Sequence, residues 1–254
     1  MSTASDPAAK IYETQIVHHL KALSYCDVDF PYRSDLNASL TEEYAQFGHY
    51  YFQQQNYPEA IRLYLRARAT DPNHFQVLYQ LGKSFLAMGQ YEDARDSFHE
   101  IIERVEHQYD HVHWLDAQIG IALSLILEGK ESNLPKAEKH LHLIREAHPD
   151  HHDLRLLEER FIEQQQILHR LNQVKTAIQQ KNWHQANQFL LEIKELSPHH
   201  HDAHRAQEEL RQAISQAALT RYSSTMFNPR IHLRAEVLEQ TWNEDFIKNL
   251  LEHQ

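Results

Sequence analysis

The placement of the glycines constrains this chain most. There are five in 254 residues, and three of them, Gly48, Gly82 and Gly120, share a phase. Phe47-Gly48 is followed by Tyr50-Tyr51, Leu81-Gly82 by Phe85, and Ile119-Gly120 by Leu123. Gly48 and Gly82 lie 34 residues apart, and Gly82 and Gly120 lie 38 apart. The residues behind them repeat too. Ala60, Tyr64, Ala67 and Pro72 stand 12, 16, 19 and 24 places after Gly48, and Ala94, Phe98 and Ile101 stand 12, 16 and 19 places after Gly82. Ala137, Leu141, Ile144 and Pro149 keep that internal spacing behind a five-residue insertion. Self-similarity at such a period means that each unit buries its apolar face by stacking on the next.

Glycine inside a helix costs about 1 kcal/mol against alanine, so three in one phase need an offset. Close helix crossing is the offset that the spacing predicts, with Gly48, Gly82 and Gly120 opposite Ala60, Ala94 and Ala137. Tyr44, Phe47 and Tyr51, and then Leu78, Leu81 and Phe85, are placed to fill the remaining gap. Pro58 and Pro135 precede the second-helix alanines by two residues, where a first-turn proline loses no hydrogen bond. Pro72 and Pro149 end those helices.

Together these residues resemble the tetratricopeptide repeat, a pair of antiparallel helices of about 34 residues. The resemblance implies an all-α helix-pair solenoid, with three clear repeats over 41–150 (41–74, 75–112 and 113–149). Valine is sparse and no alternating strand pattern appears, which also reads as all-α. Trp183, Ala186, Leu190, Ile193 and Pro198 repeat the second-helix pattern and predict a fourth, degenerate unit within 151–222, behind one long helix over His152–Gln180 and ahead of another over Asp202–Arg221.

The ends are read as caps. Segment 1–40 is expected to hold a disordered start, an amphipathic helix over Ala9–Tyr25 with Ile11, Ile16, Leu20 and Leu23 near one face, and a linker over Asp27–Ala38. A dimerisation helix is the rival reading of that first helix. Ser39 with Glu42 forms a capping box, predicted to start the first repeat helix. Segment 223–254 is expected to be a linker and a C-terminal amphipathic helix, with Leu238, Trp242, Phe246 and Leu250 four apart. So apolar a stripe is buried, by docking on the repeats, by self-association into a homodimer, or in the protein's own groove.

Charge and motifs exclude other classes. A formal net charge of −11 argues against nucleic acid and against an anionic membrane surface. The single cysteine, Cys26, excludes an internal disulfide, and neither a leader pattern nor a long apolar run is seen, so the expected place is cytoplasmic. No phosphate loop, serine elbow, paired-cysteine motif or zinc-protease motif appears, so no enzyme activity, cofactor or metal is expected. A cysteine- or metal-dependent enzyme is the remote alternative, resting on Cys26 downstream of His18 and His19 and on 21 histidines. The histidines cluster at His107, His111 and His113, at His148, His151 and His152, and at His199, His200, His201 and His204. They are read as solvated surface, with adventitious metal binding as the rival. Their protonation below about pH 6 would move the net charge toward neutral.

The resemblance also implies where a partner would lie. In the family, residues at recurring places on each first helix point into a concave groove. Matched here, the candidates are His49, Phe52 and Gln53; Gln76, Tyr79, Lys83 and Leu86; and Trp114, Ala117, Ile121 and Leu125. They describe an aromatic, apolar trough, suited to a peptide or helical segment of another protein. The function so implied is a non-enzymatic scaffold or adaptor. Repeats that clamp chaperone carboxylate tails use cations and asparagines, but the matching places hold Ala45, His49, Gln80, Trp114 and Gln118. Three repeats behind an N-terminal helix also resemble the chaperones of type III secretion translocators, which is the alternative reading.

Overall fold

In this computed structural model the described residues are 6–27, 30–105, 111–198 and 200–225. The helix expected near the C-terminus, together with His107 and His199, lies outside them. All regular structure among the described residues is helical. The chain divides into two compact units, Met1–Phe161 and Ile162–Gln254.

The first unit contains α1 (Pro7–Ser24), α2 (Arg33–Gln53), α3 (Tyr57–Thr70), α4 (Phe75–Ala87), α5 (Tyr91–Val105), α6 (His111–Glu128) and α7 (Leu134–Ala147), followed by the first turns of α8 (His152–Gln179). Each helix from α1 to α6 packs on its successor, and the first helices of neighbouring pairs also meet, α2 on α4 and α4 on α6. This is the stacking of helix pairs that the period demands. Ala60, Ala94 and Ala137 are fully buried at the pair interfaces. One core cluster gathers Leu63, Tyr64, Leu81, Tyr44 and Phe47 with Ile16 of α1. The other gathers Phe98, Ile101, Ile121, Leu125, Leu141 and Ile144 with Leu154, Leu157 and Phe161 of α8.

The glycines do their work against rings rather than against the alanines. A Cβ on Gly48 would lie 2.8 Å from the Tyr64 ring, and one on Gly82 would lie 2.7 Å from the Phe98 ring. The close approach is therefore to the aromatic residue 16 places on, which projects its ring across the first helix.

The turn inside a unit is also repeated. Gln55 (φ 60°), Gly89 (φ 71°) and Lys181 (φ 59°) are left-handed. Behind each, the next N–H reaches back to a carbonyl of the first helix: Asn56 to Tyr51, Gln90 to Phe85 and Asn182 to Ala177, all at 2.9 Å. This closure satisfies carbonyls that the helix end leaves free. In the third unit Gly129 (φ 69°) takes the turn, and the insertion becomes a 3-10 turn over Glu131–Asn133. Asn133, Arg95 and Lys130 all converge there on Glu128, at 2.8, 2.7 and 2.5 Å.

Three details differ from expectation. The helix α2 begins at Arg33, so Ser39 lies inside it rather than capping it. The Arg33 guanidinium donates to the Cys26 carbonyl at 2.7 Å and ties the helix start to the preceding turn. The expected linker is thereby shortened. On α1 the buried face is Ala9 and Ile16 with Tyr12 and Leu23 half-buried, while Ile11 and Leu20 are exposed. Tyr12 stacks on Phe47 at 5.2 Å and leans on Tyr50 at 5.8 Å, and those rings set the rotation of the helix.

The second unit holds the rest of α8 with α9 (Trp183–Leu196) and α10 (His201–Thr225). Ile167, Leu171, Val174 and Ala177 of α8 meet Trp183, Ala186, Leu190 and Ile193 of α9 and Ala206, Leu210 and Ile214 of α10. Asn182 caps α9, its Oδ1 accepting from the Gln185 N–H at 3.2 Å. No helix among the described residues is long and apolar enough to cross a membrane.

Candidate functional site

The matched residues of α2, α4 and α6 fall into two groups. The first is accessible. On α2, His49 and Gln53 are exposed one turn apart and hydrogen-bonded at 2.9 Å. Phe52 is half-buried, its ring edge-on to Tyr57 at 5.4 Å. On α4, Gln76 is exposed, and Tyr79, Lys83 and Leu86 are half-buried. The Lys83 Nζ lies 5.4 Å from the centroid of Tyr79 and 5.9 Å from that of Phe52. One ammonium thus spans aromatic residues of two successive first helices, an arrangement worth about 0.5–1 kcal/mol at an exposed site and more when desolvated. Tyr79 also packs on Phe98 at 6.0 Å. On α6, Trp114 is half-buried against the second core cluster.

The second group is core. Ala117, Ile121 and Leu125 are at most 4% exposed. They belong to one cluster with Leu154, Leu157 and Phe161 from the start of α8, so these three matched places of the third repeat are core rather than groove. Gln118, one of the clamp places, is equally buried and hydrogen-bonded to His140 Nδ1 at 2.6 Å.

Sequence reasoning missed a polar group beside this surface. Asp116, on α6, is half-buried. Burial pushes its carboxyl up; His113 and His151 pull it down, Asp153 raises it, and Lys83 lowers it. Tyr79 is raised by burial, then by Asp116 and Asp153. Groups on α4, α6 and the start of α8 thus influence one another's ionisation. An acidic residue three places after His113 was the available signal, but nothing local marks it as acting on Tyr79.

The remote enzyme reading rests on Cys26 behind His18 and His19 and on the histidine clusters. Cys26 Sγ donates back to α1, at the Ala22 carbonyl, at 3.3 Å. His19 Nδ1 is engaged by the Gln15 carbonyl at 3.1 Å. A cavity of about 810 Å3 in the second unit is lined by Gln165, Gln166, His169, Arg170, Glu192, Glu195 and Leu196, with Arg170 paired to Glu192 at 2.7 Å. It contains no nucleophile beside a base. Of the histidine clusters, His151 and His152 with Asp153 bring ligand atoms within 4.8 Å of one another. His151 Nδ1 already accepts the Asp153 N–H at 3.2 Å, so that atom is committed to the helix start. His200 is held below the usual range, first by burial.

The comparisons agree with this geometry. Residues 48–89 match the family model described as TPR repeat, and residues 76–105 match the one described as Tetratricopeptide repeat. A solved tetratricopeptide repeat protein from Parabacteroides merdae aligns over 96% of this chain and 98% of its own at 14% identity, with a TM-score of 0.42, too loose a likeness to argue from. No curated protein matches. The matched stretch contains two of the in-phase glycines, the Lys83 bridge and the Phe98 ring, and over residues 48–105 this chain is built of tetratricopeptide repeats.

Proposed function

We propose that this protein is a scaffold or adaptor that holds a segment of another protein against the first helices of its repeats. Tetratricopeptide repeats are in general protein–protein interaction scaffolds. The observation that carries the reading is the Lys83 ammonium set over Phe52 and Tyr79. It presents a half-open apolar surface with a fixed cation, and half-buried aromatic residues of this kind are the usual anchors of interfaces. Phe52, Tyr79, Lys83, Leu86 and Trp114 form the binding surface, with His49, Gln53 and Gln76 at its rim. Ala117, Ile121 and Leu125 support it from beneath.

The excess of acidic groups, a net charge of −11, favours a protein partner over nucleic acid or an anionic membrane, and the protein is assigned to the cytoplasm. The chaperone reading is the same binding mode with an apolar exported segment as occupant. The test is capture from native cells by the wild type and by a folded Phe52→Ala/Lys83→Glu variant. A protein retained by the first and lost by the second supports the reading. Equal capture by both removes the interface from this surface.

A further inference from the structure

We infer that His99 and His140 form a binding site for a divalent transition-metal ion of the zinc class, between the second helices of the second and third repeats. His99 stands on α5 and His140 on α7, and their ring centroids lie 6.5 Å apart, edge to face. The rings come from helices distant in sequence, and each sits beside a core residue of its own helix. Phe98, fully buried, precedes His99, and Leu141, 2% exposed, follows His140. The backbones on both sides are thereby held. The surface proposed for the partner lies on the first helices, so this site is separate from it.

The His140 ring is oriented for an ion. Its Nδ1 meets the Gln118 Oε1 at 2.6 Å. A carbonyl oxygen only accepts, so Nδ1 carries the proton and Nε2 keeps its lone pair. Gln118 is 4% exposed on α6, so a third helix fixes the tautomer from within. A metal-ligating histidine is held in this way, its second nitrogen donating to an outer acceptor. Among the described residues the His140 Nε2 has no hydrogen bond, and neither nitrogen of the exposed His99 has one.

The spacing fits one shared ion. A ring centroid lies about 3.2 Å from an ion coordinated at about 2.1 Å, so two rings on one ion stand about 5 to 6.5 Å apart. The observed separation is at the upper end, and rotation of the exposed His99 closes it. Two imidazole nitrogens select zinc, copper or nickel over magnesium and calcium, which take oxygen. Water fills the remaining positions. His151, His152 and Asp153 are the weaker candidate, because His151 Nδ1 is already committed to the start of α8.

The probe is zinc chloride, titrated calorimetrically into the untagged full chain. One ion per chain is expected as the tightest event. His99→Ala and His140→Gln should each remove it, and the double variant should lose no more than either alone, because both rings hold one ion. Gln118→Leu should weaken it about tenfold or more, the scale of a lost outer acceptor. His151→Ala/His152→Ala should leave it intact, and magnesium should not compete. Binding unchanged in His99→Ala and His140→Gln, or lost only with His151 and His152, leaves an adventitious ion only and overturns the site. Losses that add, each variant removing a separate ion, overturn it too. His99→Ala changes an exposed side chain, so it decides the matter even where circular dichroism shows His140→Gln or Gln118→Leu unfolded.

Discussion

The ring of Phe98 fills the space that a side chain on Gly120 would need: a Cβ there would lie 2.5 Å from the Phe98 Cζ. The same ring faces Gly82, at 2.7 Å, so one aromatic side chain from α5 lies against the first helices of two successive repeats.

Gly120→Ala is therefore expected to lower stability. Alanine gains about 1 kcal/mol of helix propensity, but Phe98 is fully buried and its ring has nowhere to move. Overpacking of about 1–3 kcal/mol should win. Combined with Phe98→Leu, the loss should be smaller than the sum of the two, with a coupling of about 1 kcal/mol in a double-mutant cycle by urea unfolding. Strict additivity would show that Gly120 makes room for something other than that ring.

Gln55 and Lys181 hold the left-handed conformation that Gly89 and Gly129 hold in the other two turns. Both side chains are exposed, so little else is lost on removing them. For a residue with a Cβ this backbone region costs about 1–2 kcal/mol, partly offset by the greater freedom of glycine in the unfolded chain. Gln55→Gly and Lys181→Gly should each raise the unfolding free energy by about 0.5–1 kcal/mol. A decrease in either would mean that the side chain supports its turn.

The Tyr64 hydroxyl is fully buried and has no hydrogen-bond partner among the described residues, and burial raises its ionisation above the usual phenol range. Leaving a hydroxyl so placed costs about 1–3 kcal/mol. The equivalent residue in the next repeat is Phe98. Tyr64→Phe should be neutral or stabilising by about 1 kcal/mol in thermal unfolding. A clear loss would reveal a partner for the oxygen.

Stability should fall in mild acid. Burial holds His140 down to about 4 from 6.5, with His99 and Lys139 adding to it. The unfolded chain then binds the proton first. The contribution is present above pH 6.5 and is lost progressively as pH falls toward 4. Glu128 acts lower: burial raises it, but hydrogen bonds from Lys130, Asn133 and Arg95 outweigh this and hold it below its usual 4.5. Its contribution is lost below that value. Melting curves from pH 7.5 to 4 should show His140→Gln losing less on acidification than the wild type. Parallel profiles would remove His140 as the cause.

Much of the repeat was legible because its signals are local and periodic. The phase of Gly48, Gly82 and Gly120, the alanines twelve places on and the prolines at the helix ends each report a backbone demand inside one unit. The fourth unit was visible in Trp183, Ala186, Leu190 and Ile193 for the same reason. Ser39 misled because a capping box states only that a helix can start there, while Arg33 binding the Cys26 carbonyl starts it earlier.

The sequence by itself determined the helix pairs, their number in the repeat region and the all-α class. Only the tertiary structure decided which matched residues face solvent. Ile121 and Leu125 occupy the same register on α6 as Lys83 and Ala87 on α4, yet they are buried with Leu154, Leu157 and Phe161 while Lys83 remains half-exposed. Register assigns a residue to a helix face; burial depends on which later segment packs against that face. The same holds for Asp116, whose neighbours Tyr79, His151 and Asp153 come from three helices or turns that only folding brings together.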